Sequence, residues 1–379
     1  ACRNSLVRES MGTMGMTDDI WPAVDRATQA AHEVLRNNLH GHYQGLPRTA
    51  AWGYPEPYTR DLLISSLAAL VTKDKDLMES LRQVLEALAE NQTPLGHIPS
   101  LANTADHLGA SDTTPLFLIV AALYRRVTGK KNFLAGAVKK ALVWMDYRSP
   151  ENRVMVDQQP TTDWRDEQWV AGYGLYVNAL VYTYLRLFAE REKAAQLYDL
   201  MHRFAVTDSE GHGHVHRGLL LPHKPYFALW AFKEYSSERF DLLGNSLAIL
   251  SGLASPSRAE NMVAWIEREC EHMREHRELA VDVPPCLFPF MRSGDPDYPS
   301  RVEHFNPPGC YCNGGVWPFV CGFYVAALVA AGRKRLAEEK LAALTELVHR
   351  AKNPDLEFGF NEWHQAQNGQ PRGQDWQSW

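Results

Sequence analysis

The chain has 379 residues, 45% of them hydrophobic and 22% charged, with a formal net charge of −6. That balance fits a globular chain with a large core and argues against nucleic acid as a partner, because phosphate binding needs a concentrated basic surface. No apolar run approaches the roughly 18 residues of a membrane span, and the opening ACRNSLVRES lacks the apolar core of a signal peptide, so a cytoplasmic, membrane-free protein is expected, with an upstream segment removed in place of the missing initiator Met.

Apolar residues at three- and four-residue spacing predict helices near 19–38, 60–72, 76–90, 113–128, 132–146 and 170–188. Five more follow near 191–205, 240–253, 256–273, 315–331 and 334–352. Breakers separate them, among them Asn91, Gly129, Ser149-Pro150, Ser255-Pro256, Gly332 and Asn353-Pro354. The segments 113–128 and 315–331 are apolar around most of their circumference, whereas 76–90, 132–146 and 334–352 carry a charged face. Buried helices alternating with amphipathic ones predict two concentric rings, an all-α toroid formed by one domain over residues 1–379. A plain helical solenoid is the alternative, without a fixed repeat to support it. The closing WQSW reads as the first turn of a twelfth helix that is cut short. The long loops 91–112, 147–168, 206–224, 274–313 and 353–375 should gather at one end of the toroid, where function on a rigid scaffold usually sits.

Eleven Trp and fifteen Tyr, many beside polar residues, suit a pocket that stacks flat ligand faces and hydrogen-bonds their edges. In GYPEPYTRD, Arg60 and Asp61 open a helix. They read either as a cap with a surface ion pair or as a ligand mouth flanked by Trp52, Tyr54 and Tyr58. In GASDTTPLFL, Asp112 is a natural N-cap that would also aim its carboxylate into a central cavity. TTDWRDEQW crowds Asp163, Asp166 and Glu167 between Trp164 and Trp169; like charges beside apolar rings push one carboxyl pKa upward, as a general acid requires. A solvated capping loop is the other reading there. NGGVWPF presents Trp317 after paired glycines, and Glu362 sits between Asn361 and Trp363 in a polar-aromatic C-terminal loop. His212, His214 and His216 alternate in EGHGHVHRG, better read as a solvent-facing hairpin than as a metal site. The irregularly spaced Cys2, Cys270, Cys286, Cys310, Cys312 and Cys321 are expected as free thiols, with Cys310 and Cys312 as small loop residues and not a metal pair.

Together, in this order, the motifs resemble the glycoside hydrolase clan of neutral/alkaline invertases (family 100), trehalases, family 63 α-glucosidases and the glucosidase domain of glycogen debranching enzymes. Arg60-Asp61, the Asp112 helix, Asp166 followed by Gly172-Tyr173, Asn313-Gly314-Gly315-Val316-Trp317-Pro318 and Glu362 with Gln377 and Trp379 carry the likeness to the invertases. The helix after Asp112, TTPLFL, is closer to the debranching-type and family 63 enzymes. The resemblance implies an (α/α)6 barrel with Asp166 as general acid and Glu362 as general base; Asp163 stays open as the acid, since an alignment can slip within DWRDEQ. It also implies that Arg60, Asp61, Asp112, Asn313 and Trp317 hold the sugar, and Tyr54, Trp164, Trp363 and Gln377 complete the expected binding set. By the same resemblance neither a metal nor an organic cofactor is expected, and the clan inverts, which requires the two carboxyls about 6.5–9.5 Å apart. The expected activity is hydrolysis of a small glucose-containing disaccharide or α-glucoside such as sucrose. A sugar epimerase, which would need histidines as its acid/base pair, and a non-catalytic carbohydrate-binding helical protein are the alternatives.

Overall fold

Helix boundaries follow local chemistry. The computed structural model describes residues 20–149, 154–203, 206–207, 213–215, 218–232 and 235–379. Its helices are α1 (Trp21–Asn38), α2 (Thr59–Thr72), α3 (Lys75–Glu90), α4 (Thr113–Thr128), α5 (Ala135–Tyr147) and α6 (Leu175–Leu187). They continue as α7 (Arg191–Met201), α8 (Leu242–Ser251), α9 (Pro256–Glu275), α10 (Pro318–Ala330) and α11 (Lys334–His349). Asp74 caps α3 by accepting from the Asp76 and Leu77 amides, and Ser255 caps α9 by accepting from Arg258 N, ahead of Pro256 in the first turn. Gly129 and Gly252 end α4 and α8 in the left-handed region, where a side chain would be strained.

Three starts differ from the sequence expectation. Helix α5 begins at Ala135 and not 132, because residues 131–134 form turns. Helix α6 begins at Leu175 and not near 170, because Tyr173 and Gly174 are drawn into an antiparallel pairing with Ala231 and Trp230. Helix α10 begins at Pro318 and not 315, where proline's fixed φ and missing N–H suit a first turn.

The two rings are present. Helix α4 packs between α2 and α6, α6 against α8, and α8 against α10, forming the inner wall. Every residue of α8 from Leu242 to Ile249 is buried, as an all-round apolar helix requires. Outside, α3 lies on α2, α5 on α4, α7 on α6 and α11 on α10, and α1 touches both α3 and α11. Helix α9 enters through Trp265, stacked on Phe288 at 5.5 Å, and Glu267, which accepts from Tyr324 of α10 at 2.7 Å. The architecture is an all-α (α/α)6 barrel whose described inner ring holds five helices.

The first turn of a twelfth helix, expected at the closing WQSW, is not formed. The closing residues are not helical: Gln377 bridges Ala50 in an extended pairing, and the Asn38 amide donates to Trp376 O at 2.9 Å and Ser378 Oγ at 2.8 Å. These contacts hold the terminus across the mouth of the ring, and that pairing takes up the backbone groups a helical turn would use.

Connections from inner to outer helices are short (73–74, 129–134, 188–190, 252–255 and 331–333), while those leading inward are long (39–58, 91–112, 148–174, 202–241 and 276–317). The described inner helices therefore all point their N-termini at the same loop-bearing end, which carries the positive ends of their dipoles. The backbone at Val206–Thr207 pairs with Gly213–Val215. His212 and His216 lie outside the described residues, as does the His214 side chain, and so does Cys2. Cys270, Cys286, Cys310, Cys312 and Cys321 are free thiols. No described helix is long and apolar enough to cross a membrane.

Candidate active site

The loop-bearing end holds a cavity of about 420 Å³. Four loops and the C-terminal segment line it, bringing Tyr54, Arg60 and Asp61 from before and within α2, Asp163, Trp164 and Asp166 from before α6, and Tyr311 and Trp317 from before α10. Glu362, Gln377 and Trp379 come from the C-terminal segment. Of the residues singled out in the sequence, Tyr54, Arg60, Asp61, Trp164, Asp166, Trp317, Glu362 and Gln377 are on this wall.

Asp112, Asn313 and Trp363 stand behind it. Asp112 occupies the N-cap position of α4, but its side chain makes no capping bond. Arg60 draws it away, donating from Nε to Oδ2 at 2.5 Å and from Nη2 to Oδ1 at 3.2 Å, with Tyr176 OH adding a contact of 3.3 Å. A two-pronged guanidinium bond outweighs a single cap bond. Asp112 thus aims Arg60 at the cavity, and the ion pair expected between neighbours Arg60 and Asp61 is replaced by one across two helices. Asn313 is fully buried and staples together distant parts of the one loop before α10, accepting from Met291 N at 2.6 Å and donating to Met291 O at 3.0 Å and Asn306 O at 3.1 Å. Trp363 packs edge-on against Tyr311 at 5.9 Å.

The DWRD loop divides its carboxylates by environment. Asp163 is buried and accepts from the Arg165 backbone N at 2.8 Å and from Arg165 Nη2 at 2.6 Å. Burial pushes its carboxyl up, but the Arg165 charge and hydrogen bonds outweigh that and hold it below the ordinary range. Arg165 Nη1 also reaches Asp241 Oδ2 at 2.9 Å, at the start of α8, so one guanidinium clamps two buried carboxylates. Asp166 is free of that clamp. It meets the solvent that fills the cavity, yet protein walls surround it, and this desolvation, with Asp112 and Asp163 nearby, lifts it to about 6 against the opposing pull of Arg60.

Glu362 is buried, and burial, reinforced by the Asp166 charge, raises it to about 7. Asp61 is raised further, to about 8, first by burial and then by Glu362, although Arg60 pulls the other way; Gln377 Nε2 donates to its Oδ1 at 3.3 Å. Three carboxyls with separated titrations therefore face one small volume.

Aromatic rings supply the opposite wall. Trp164 meets Trp317 edge-on at 5.3 Å, and Trp379 stacks on Phe319 at 4.2 Å. Trp317 Nε1 donates to Tyr311 O at 3.0 Å, as does the Gly315 amide at 2.9 Å. Gly315 has to be bare, because a Cβ there would stand 2.6 Å from Tyr311 O. Tyr311 and Trp379 extend the binding set expected from the sequence. Cysteine neighbours mask Tyr311 there, although an aromatic residue just ahead of Asn-Gly-Gly is a usable signal. Trp379 reads locally as part of a helix turn.

Comparison with known proteins follows the same lines. A family model described as alkaline and neutral invertase matches residues 233–378. The resemblance is to invertases. The probable chloroplastic alkaline/neutral invertase A of Arabidopsis thaliana is 28% identical over 101 residues, which is 27% of this chain and 15% of the relative. The mitochondrial neutral/alkaline invertase 1 of Oryza sativa subsp. japonica is 29% identical over 120 residues, 31% of this chain and 18% of the relative. The matched stretch thus spans less than a fifth of the length of either invertase. Among solved structures, the GH63 mannosylglycerate hydrolase from Thermus thermophilus in complex with glucose superposes with a TM-score of 0.64 at 17% identity, covering 93% of this chain and 97% of that one. A rhamnosidase from Klebsiella oxytoca with rhamnose bound gives 0.60 at 14% identity, covering 97% of this chain and 63% of that one. At these identities the likeness establishes the shared barrel.

Proposed function

We propose that the protein is an inverting glycoside hydrolase of a small glucose-containing disaccharide or α-glucoside such as sucrose, with Asp166 as general acid and Glu362 as general base. The observation that carries this reading is the meeting of Asp166 and Glu362, from loops far apart in sequence, in one aromatic-walled cavity where the surrounding protein raises both above the ordinary carboxyl range. The invertase-like C-terminal segment contains Glu362, and a glucose unit, the sugar held in the Thermus complex, fits the size of the cavity.

In this mechanism a water molecule attacks the anomeric carbon as Glu362 takes its proton. The glycosidic C–O bond breaks, and Asp166 donates its proton to the departing oxygen. Between their two titrations the pair holds one proton, and bound sugar determines where it sits. A sugar strips water from the more open Asp166 and raises it further, while Glu362 is already dry. Asp163 is unsuited to the acid role because Arg165 keeps it ionised. Arg60 and Asp61 bind sugar hydroxyls, with Trp164, Trp317 and Trp379 against the ring faces. Trp164 Nε1, Gln377 Oε1 and Trp379 Nε1, which have no partner among the described residues, are the polar capacity a hydroxylated ligand meets by a small adjustment of the wall.

An epimerase on the same barrel would place histidines where this wall carries carboxyls. The deciding experiment incubates the protein with sucrose, trehalose, kojibiose, maltose, isomaltose and glucosylglycerate and follows the first anomer released by proton NMR, with Asp166→Asn and Glu362→Gln alongside. One cleaved substrate, inverted product and two inactive but folded variants support the reading. A folded protein that cleaves none of them overturns it.

A further inference from the structure

Beside the catalytic cavity lies a second chamber of about 760 Å³. Leu108, Gly109, Ala110 and Thr162 line both, so the two spaces share one wall. That boundary is built from two loops stitched together, Ser111 N donating to Thr162 O at 2.6 Å with the two hydroxyls 2.6 Å apart, and Leu108 and Gly109 on it are exposed, so a ligand can pass over it from one space to the other. Gly109 is held at φ +119°, and a Cβ there would meet nothing within 4 Å.

Position decides what the chamber is for. The wall joins the loop before α4 to residues 161–162 of the loop that carries Asp166, whereas Glu362 and Gln377 enter the catalytic cavity from the C-terminal segment. In a single displacement the water enters on the side of the base and the leaving group departs on the side of the acid. The chamber is therefore on the leaving-group side.

The chamber's surface has its own character. Leu95 and Leu108 are 63% and 55% exposed and line the same space, a pairing of large apolar side chains that isolated surface leucines do not make. Trp144 and His97 form a tilted pair at 5.1 Å on its wall. Both imidazole nitrogens are engaged, Nδ1 with Thr114 Oγ1 at 3.2 Å and Nε2 accepting from Gly109 N at 3.4 Å, and burial lowers the ring to about 4, so it presents an uncharged face at neutral pH.

We propose that this chamber is a distal leaving-group subsite that takes an apolar ring or alkyl chain, so that the preferred substrates are glycosides whose departing part extends past one sugar-sized unit and ends in such a group. The proposal rests on the glycosidase reading and narrows its substrate class. The occupant is apolar because Leu95, Leu108 and Trp144 would gain from covering, while Asn91, Gln92, Ser111, Arg148 and Thr162, which also line the chamber, already hydrogen-bond to protein partners.

The test compares methyl α-glucoside with 4-phenylbutyl α-glucoside, by hydrolysis with the wild-type protein and by calorimetric binding to Glu362→Gln, with sucrose as reference. The 4-phenylbutyl compound is expected to bind at least tenfold more tightly. Leu95→Arg, at an exposed position off the catalytic cavity, should remove that gain and leave sucrose and methyl α-glucoside unchanged; Trp144→Leu serves as the second variant. If sucrose is cleaved but the phenylbutyl group brings no gain, or the gain survives Leu95→Arg and Trp144→Leu, the subsite is refuted and the glycosidase stands. If no glucoside is bound or cleaved, the glycosidase reading fails and this inference fails with it.

Discussion

Gly373 lies against the carboxylate of Glu362: a Cβ on Gly373 would stand 2.2 Å from Oε2 and 2.5 Å from the glutamate Cβ. Gly373 also adopts φ +69°, which strains any other residue, so the position is bare for two separate reasons. The backbone around the pair is tied as well, since Glu362 N donates to Gln374 O at 3.0 Å. Gly373→Ala should therefore push the carboxylate aside while leaving the barrel folded. A displacement of about 1 Å in a reacting group can cost on the order of 100-fold in rate. We expect a loss of that size in kcat with unchanged far-UV circular dichroism; activity within threefold of wild type would contradict the placement of Glu362 at the reacting centre.

The pH dependence follows from the two titrations. Below about 6 both Asp166 and Glu362 are protonated and no base is present; above about 7 both are ionised and no acid is present. The active one-proton form peaks between these values, so kcat/KM should be bell-shaped with its maximum near pH 6–7. The measurement is initial rate across pH 4–9 on the cleaved sugar. A profile flat from pH 5 to 9 would contradict the two-carboxyl mechanism.

The same shifts have a stability consequence of definite sign. Glu362 and Asp61 titrate at about 7 and about 8, above their unfolded values, so the folded protein holds their protons longer than the unfolded chain does. Stability contributed this way is fully present at low pH and is lost as pH rises through the folded values. Glu362→Gln and Asp61→Asn should each stabilise the protein at pH 8, on the order of 1–3 kcal/mol, and clearly less at pH 5, where only the first part of the loss above the unfolded values near about 4 has accrued. Thermal unfolding at the two pH values reads this directly. Equal effects at both would remove the claim that burial raises these groups.

The clamp under the acid loop gives a prediction of opposite kind. Arg165 is 1% exposed and pairs with Asp163 and Asp241, both also buried; its single charge holds Asp163 ionised, while burial pushes Asp241 up. Removing a partner from a buried charge set costs roughly 3–5 kcal/mol, because the remaining carboxylates stay in a dry site. Arg165→Met should lose stability of that order and loosen the Asp166 loop, visible as a lower Tm together with a lower kcat. Arg165→Lys should recover part of the stability but less of the activity, since an ammonium lacks the planar fork that reaches both carboxylates.

The helices are legible in the sequence because their signals are local. Period and caps place all eleven, and alternation of apolar and amphipathic segments gives the two rings. The differences at Tyr173 and Gln377 are set by distant partners, Ala231 and Ala50. The site divides in the same way. Tyr54, Arg60 and Glu362 stand out from their polar-aromatic neighbours. The partner of Asp112 is Arg60, on another helix, and nothing in a local motif distinguishes a capping carboxylate from one that orients a guanidinium. The choice between Asp163 and Asp166 likewise depends on which one Arg165 turns toward, a matter of side-chain direction that spacing does not encode.

The roles of the two carboxyls can be separated by what each variant still lacks. In the proposed mechanism Asp166→Asn removes the proton donor, which a leaving group that departs as a stable anion does not need. Its loss on sucrose should be about 100- to 10,000-fold. On 2,4-dinitrophenyl α-glucoside the loss should shrink to about tenfold or less, because protonation of that leaving group contributes little to its barrier. Glu362→Gln removes the group that activates water, so its activity on either substrate should stay low until azide is added. Azide is a nucleophile that needs no deprotonation, and it would give the β-glucosyl azide by the same single displacement. If azide rescued Asp166→Asn and the activated leaving group rescued Glu362→Gln, the two roles would have to be exchanged.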